Sequence, residues 1–266
     1  MADKHSRPPD GMLFRTMGVF FVTIMPFIVL PFLIVSEFLE LSGWKPYYLR
    51  FPEANPILSR YAPNKLPSGA EIGYNRHVMS AVREMGMSID QFDEWIAAYP
   101  GSAIKHLRYM PESMQRDAAN IALFIRKSNC TIDEKTAWRE AAALVHYSAK
   151  YGVPSALTTA VAQVESTFNP NAVSSKGASG VMQVMWGIHN GLLRSNGIQP
   201  SPGNNPLADP EHSIAAGCLL LSRYIRAYGS VQKAIDRYYG GTSATYHRKI
   251  NVNIAKLMTH QSKLFD

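Results

Sequence analysis

Residues 165–185 read ESTFNPNAVSSKGASGVMQVM, and the reading of the chain turns on them. They come after a pattern in which Leu157, Val161, Val164 and Phe168 recur at i, i+4, i+7 and i+11, which predicts one apolar helix face beginning near Pro154. Glu165 lies four residues after Val161, on the flank of that face. Its carboxylate is therefore expected to be partly withdrawn from water, which disfavours the charged form and raises the pKa. A carboxyl tuned upward in this way suits a general acid near neutral pH. Asn169-Pro170 is predicted to stop the helix. Ser174 to Gly180 reads as a Ser/Gly-rich loop able to bring backbone close to a ligand. Val181 to Met185 then resumes with apolar residues around one polar member, Gln183.

Glu165 to Gln183 fills every fixed position of the pattern E-S-x-F-N-P-x-A-x-S-x-x-G-A-x-G-x-M-Q. In this the chain resembles the lytic transglycosylase SLT family, bacterial and phage relatives of goose-type lysozyme. The resemblance covers about Ala141 to Ile250 and is silent on residues 1–130. It implies cleavage of the MurNAc-β-1,4-GlcNAc bond of peptidoglycan by a single Glu. That Glu acts first as acid, then as the base that deprotonates the muramic acid's own C6 hydroxyl, giving a 1,6-anhydro product without water. By match of motif Glu165 takes both roles. The resemblance further implies that Ser174, Met182 and Gln183 lie near Glu165 and the N-acetyl sugars. It also implies that Gly177, Ala178 and Gly180 are small so that backbone can approach saccharide. Met182 taken alone would read as a core gap-filler. Tyr238 matches the Tyr of the family's later A-Y-N-A-G pattern, written here RYYGG at 237–241, and its hydroxyl is expected to face Glu165. The chain departs from the family at two supporting positions: Tyr239 replaces the Asn that usually comes after that Tyr, and Ser213 replaces an Asn of the preceding helix.

Most glycosidases use two carboxylates, yet no Asp or Glu occurs between Ser166 and Ala208. Asp209 and Asp236 are the candidates for a second one, which would make the protein a hydrolytic lysozyme (muramidase). Their settings suggest instead a helix cap and a helical surface position. A third reading keeps the fold as a non-catalytic peptidoglycan-binding component of an envelope-spanning complex.

The 266 residues are 46% hydrophobic and 18% charged, with a net charge of +7. That composition excludes a disordered chain. A basic surface suits an acidic polymer or headgroup, but no nucleic-acid motif is present. Cys130 and Cys218 have no C-x-x-C or Cys/His ligand spacing, so no zinc site is expected, and no other metal or cofactor is implied. The two thiols read either as a disulfide, if this part lies outside the cytoplasm, or as free. His77 and His106 are isolated and read as structural or surface residues.

Residues 1–15 form a polar tail, and 21 uncharged residues then run from Thr16 to Ser36. That length spans the roughly 30 Å hydrocarbon core of a bilayer as a helix, and Pro26 and Pro31 are tolerated there. A cleaved signal peptide fits less well, because no small-residue cleavage site comes after it. The expectation is a transmembrane anchor over 16–38 in the inner membrane, or a virion membrane if the protein is viral. Arg15 places the N-terminus in the cytoplasm and the remainder in the periplasm. Next come a Pro-rich linker over 39–70, a helical module over 71–130 and the catalytic domain over 131–266. Within them Ser88–Gln91 and Thr131–Glu134 are capping-box patterns. Trp186 to Pro206 reads as a surface loop, and a short hairpin is expected near Ser174 to Met182. With no strand alternation of any length, the class is all-α. The implied partners are peptidoglycan glycan strands, the membrane, and a secretion, conjugation or phage-entry complex.

Overall fold

The computed structural model describes residues 73–265. The expected tail, anchor and linker, residues 1–70, lie outside them. No helix among the described residues is long and apolar enough to cross a membrane. The described chain is mainly helical, as the pattern predicts. Its elements are α1 (Arg76–Glu84), α2 (Ile89–Ala97), a 3₁₀ helix (Ala103–Tyr109), α3 (Glu112–Ser128), α4 (Glu134–Tyr151), α5 (Ser155–Ser166), β1 (Ala178–Ser179), β2 (Val184–Met185), α6 (Trp186–Ser195), α7 (Pro210–Tyr228), α8 (Val231–Tyr239) and α9 (Ala244–Phe265).

The starts and stops obey capping chemistry. Ser88 and Gln91 form the reciprocal capping box that opens α2. The second predicted box is displaced: Asp133, not Thr131, caps α4 by accepting from the Thr136 N–H, while Thr131 turns back to Asn129. A carboxylate at N-cap satisfies an otherwise orphan N–H and meets the positive end of the helix, which outweighs the Thr option. Gly152 and Gly229 close α4 and α7 in left-handed conformations, where a β-carbon would be costly. Asp209 caps α7, with Pro210 at the first helical position.

The central element is α4, which packs against α3, α5, α7 and the 3₁₀ helix. Its Ala137, Trp138, Ala141, Ala142 and Leu144 are buried in a core that also takes Val78, Phe92 and Ile104 from the N-terminal helices and Ile214 and Leu221 from α7. Residues 73–130 thus share one core with the helices of the SLT-like region, α4 to α9. A polar tie crosses the same boundary. The buried Glu211 accepts from the Ser102 hydroxyl and the Ala103 N–H at the start of the 3₁₀ helix, and it also meets Arg139 of α4. One α7 carboxylate therefore caps an N-terminal element and pairs with a half-buried arginine.

One expectation is corrected here, and one open alternative is decided. The segment after Met185 is not a loop throughout: Trp186–Ser195 is helix α6. Gly187, Gly191 and Asn190 lower its intrinsic propensity, but burial of Leu193 and packing of Trp186 and Leu192 against the core override it. Of the two readings of the cysteines, the free one holds: Cys130 is exposed, and Cys218 is buried in α7.

Candidate active site

Glu165 ends the last turn of α5. The helix stops one residue later, at Ser166, earlier than Asn169-Pro170 would stop it. Thr167 and Phe168 instead both take positive φ, 52° and 62°. Left-handed backbone at a β-branched and an aromatic residue is uncommon and costs about 1–3 kcal/mol each. Two contacts hold the turn. Phe168 is fully buried against Phe124, and the Ser166 hydroxyl donates to the Val181 carbonyl at 2.7 Å. The abrupt end leaves Glu165 at the rim, half-buried, rather than inside a continuing helix.

The loop after this turn is folded on itself. The Asn169 side chain accepts from Asn171 N–H, Gly180 N–H donates to Ala172 O, and Ser174 Oγ accepts from Ala178 N–H. A two-residue antiparallel ladder pairs Ala178 with Met185 and Ser179 with Val184. This is the expected hairpin, set a few residues later. Gln183, at its turn, also takes positive φ, 47°. Its amide donates to the carbonyls of Ala172 and Gly180 at 3.0 and 2.9 Å. The Gln183 Nε2 is thereby committed to shaping the loop, and Oε1 is the atom left for a ligand.

The hydroxyl on Glu165 is not Tyr238 but Tyr246. Tyr246 Oη donates to Glu165 Oε1 across 81 residues of sequence. Tyr238 instead spends its hydroxyl on the Met182 carbonyl at 2.8 Å. Tyr238 stays close enough to Glu165 for the carboxylate, after burial, to help raise the pKa of its phenol. Burial lifts the Glu165 carboxyl above the ordinary range, and the Tyr246 hydrogen bond partly offsets that by favouring the ionised form. Tyr246 itself, buried beside Glu165, is held far above a normal phenol and so remains a donor at every working pH. Because Oε1 accepts from Tyr246, the proton of the neutral acid sits on Oε2. The arrangement offers one proton, on one oxygen, in a desolvated setting.

Neither candidate second carboxylate is free for chemistry. Asp209 accepts from the N–H groups of Glu211 and His212 and pairs with Arg139 at 2.9 Å. Burial works against its ionisation, but the His212 N–H and Arg139 outweigh burial and hold its carboxyl low. Asp236 is bonded to His247 Nε2 at 2.8 Å, a clamp between α8 and α9 rather than a solvated surface residue. The two influences that shift Glu165 are burial and Tyr246.

Residues 143–256 match the family described as Transglycosylase SLT domain. This part of the chain is similar to that domain over 114 residues. Membrane-bound lytic murein transglycosylase C from Yersinia pestis (strain Pestoides F) and from Yersinia pseudotuberculosis serotype O:1b (strain IP 31758) are each 39% identical to it over 94 residues. That stretch is 35% of this chain and 26% of either relative, so the chain spans about a quarter of the length of the curated relatives it matches.

Within the matched region, the small residues of the motif divide by cause. Gly177 takes φ +84° with open space where a β-carbon would point, so turn geometry and an accessible face account for it. Gly180, φ +75°, is small for an internal reason: a β-carbon there would strike the Leu207 carbonyl and lie 2.5 Å from Ser213 Oγ. The Met182 side chain is fully buried and fills the notch left by Gly217, so it is a core gap-filler. Its backbone is what the site uses, with N–H to Ser213 Oγ at 3.0 Å and C=O from Tyr238. Ser213, the departure from the family's Asn, is therefore an acceptor matched to a very tight neighbour. Ser174 and Ala178 sit on the partly exposed loop edge. A separate groove of about 730 Å³, lined by Glu84, Arg126, Lys127, Glu134 and His260 among others, involves none of these residues.

Proposed function

We propose that this protein cleaves the MurNAc-β-1,4-GlcNAc bond of peptidoglycan as a lytic transglycosylase, leaving a 1,6-anhydroMurNAc end. The observation that carries the reading is Glu165 Oε1 held by Tyr246 in a desolvated rim position, with burial and Tyr246 as the influences on it among the described residues. In the first step Glu165 Oε2 gives its proton to the glycosidic oxygen, the C1–O bond breaks, and the GlcNAc 4-hydroxyl departs. Glu165 is then a carboxylate stabilised by the Tyr246 hydroxyl. In the second step it takes the proton of the C6 hydroxyl as that oxygen closes on C1. The proton inventory returns to its start and no water is consumed, so one carboxyl serves both halves. Inverting and retaining hydrolases require a second carboxyl at a set distance, and here Asp209 and Asp236 are both engaged elsewhere.

The finer setting is an enzyme held at the inner membrane by the Thr16–Ser36 segment, with the SLT domain in the periplasm, opening the wall locally for a secretion, conjugation or phage-entry machine. The uncharged length of that segment and the membrane-bound designation of the relatives support it. The names of those relatives also support a murein substrate. Ser174, Gly177, Ala178 and the free face of Gln183 are the residues proposed to meet glycan, with Gly180, Met182 and Tyr238 shaping the loop behind them.

The test is product chemistry. Isolated sacculi digested with the full chain and analysed by mass spectrometry should yield muropeptides ending in 1,6-anhydroMurNAc, about 18 Da (one water) lighter than their hydrolysed counterparts. Reducing ends on most products would mean hydrolysis and return attention to Asp209 and Asp236. Retained glycan binding without any cleavage would mean a binding component.

A further inference from the structure

Tyr239 stands where the family pattern has Asn, and the structure gives the substitution a consequence. Two adjacent tyrosines end α8 and diverge. Tyr238 points inward to the Met182 carbonyl. Tyr239 turns outward and lays its ring on that of Tyr246, with centroids 4.5 Å apart and planes 29° from parallel. Tyr239 remains 53% exposed, whereas Tyr246 is buried and its hydroxyl is on Glu165. The ring order is thus solvent, Tyr239, Tyr246, Glu165.

The backbone around the stack is fixed. Gly240, at φ +90°, ends α8, and both Gly240 and Gly241 N–H groups donate to the Asp236 carbonyl. The Asp236 side chain reaches His247, and Ser243 Oγ accepts from the Tyr246 N–H at the start of α9. These contacts place the Tyr246 Cα, and the Tyr239 ring covers its outer side. Among the described residues, the aromatic ring packed on Tyr246 is that of Tyr239.

We propose that Tyr239 is a positioning residue for the proposed transglycosylase reaction, its ring holding Tyr246 in the rotamer that bonds Glu165 Oε1. An Asn at 239 has no surface to stack. Offset aromatic pairs are favourable beyond their buried area, so removing the outer ring frees Tyr246 to swing and loosens its hydroxyl from the carboxylate. A phenylalanine keeps the stack. The inference rests on the functional reading above only for its kinetic arm, because its physical arm is a titration of Glu165 that needs no substrate. Burial of the site and then Tyr246 act on that carboxyl, burial and then Glu165 and Tyr239 act on Tyr246, and the buried Tyr238 phenol is close to both.

The experiment compares wild type, Tyr239→Phe and Tyr239→Asn in the full chain, each checked for an unchanged melting curve. The Glu165 carboxyl is tracked by ¹³C NMR against pH, assigned with Glu165→Gln. In Tyr239→Asn the carboxyl should titrate about half a unit or more higher, because a weakened donor stabilises the ionised form less. In Tyr239→Phe it should titrate as in wild type. With sacculi as substrate, kcat of Tyr239→Asn should fall about threefold to tenfold with KM little changed. The Asn change should add nothing in a Tyr246→Phe background. Identical titration in all three proteins overturns the proposal, as does a rise in KM alone, which would make Tyr239 only a sugar platform. A shifted titration in an enzyme that makes no anhydro product would keep the positioning role and sink the transglycosylase reading instead.

Discussion

Tyr246 of α9 donates its hydroxyl to Glu165 Oε1 at the end of α5, joining two elements that lie face to face but are 81 residues apart in sequence. This hydrogen bond opposes burial in setting the Glu165 pKa. Glu165 must be protonated to act as the acid, so activity should fall as pH rises through its pKa. In Tyr246→Phe the ionised form loses a hydrogen bond to a charged group, worth about 1.5–3 kcal/mol. The alkaline limb of the kcat profile should therefore move up by about one to two pH units. The base half of the reaction loses its support, so kcat on the plateau should fall at the same time. A limb that stays in place, measured by initial rates on sacculi from about pH 4 to 9, either side of the carboxyl's range, would mean that the bond has no role in tuning the acid.

How far the sequence reaches is clear from this pair. The Glu165 side was legible, because a carboxyl on the flank of an apolar helix face is a local pattern. The Tyr246 side left only an indirect trace: Tyr246, Ile250, Ile254 and Leu257 are buried at helical spacing, which marks an inward face of α9 but not what it faces. The motif's tyrosine, Tyr238, lies in a recognisable pattern, but its partner, the Met182 carbonyl, is a backbone atom that no side-chain pattern reports. Helix α6 was hidden by its glycines, since propensity is local and the burial of Leu193 is not. The reason for Gly180 was likewise non-local, residing in Leu207 and Ser213.

That crowding makes a stability prediction with an internal control. Gly180→Ala should suffer both left-handed strain and a collision with Leu207 and Ser213, about 2–4 kcal/mol together. Gly177→Ala meets open space and should lose only the strain, about 1–2 kcal/mol. Chemical denaturation of both variants decides it, and equal losses would remove the packing argument.

Glu140 of α4 supplies a pH-dependent prediction away from the site. It is fully buried, and neither carboxyl oxygen has a hydrogen-bond partner among the described residues. Burial raises its pKa well above normal; the adjacent Arg139 pulls it down and Asp133 pushes it up. Below the unfolded-state value of about 4.3 both states are protonated and the residue is neutral to stability. As pH rises past that value the unfolded chain ionises while the native one holds its proton. Stability should then decline by up to about 1.4 kcal/mol per unit until the native pKa is reached. Glu140→Gln cannot ionise, so its stability relative to wild type should grow with pH between about 5 and 8. Urea unfolding of the two proteins across that range is the measurement, and a difference independent of pH would show that Glu140 is not carrying a buried proton.

Glu165→Gln separates chemistry from structure. The amide keeps the shape of the side chain, and its carbonyl oxygen can still accept from Tyr246, so the α5–α9 contact should survive. It has no transferable proton on the atom corresponding to Oε2. General acid–base catalysis contributes about 10²–10⁴-fold, and here both halves of the reaction depend on the same group, so glycan cleavage should fall by at least that factor. Stability should not fall with it. Burial makes ionisation of Glu165 costly in the folded state, so above its raised pKa the wild type carries a strain that the neutral amide lacks, and the variant should melt at the same temperature or higher. Pull-down on sacculi should stay near wild type, because the loop from Ala172 to Gln183 is held by its own hydrogen bonds and not by Glu165. Wild-type turnover in Glu165→Gln would remove this residue from the mechanism. Loss of activity together with a large drop in melting temperature would make Glu165 a structural residue and not the acid.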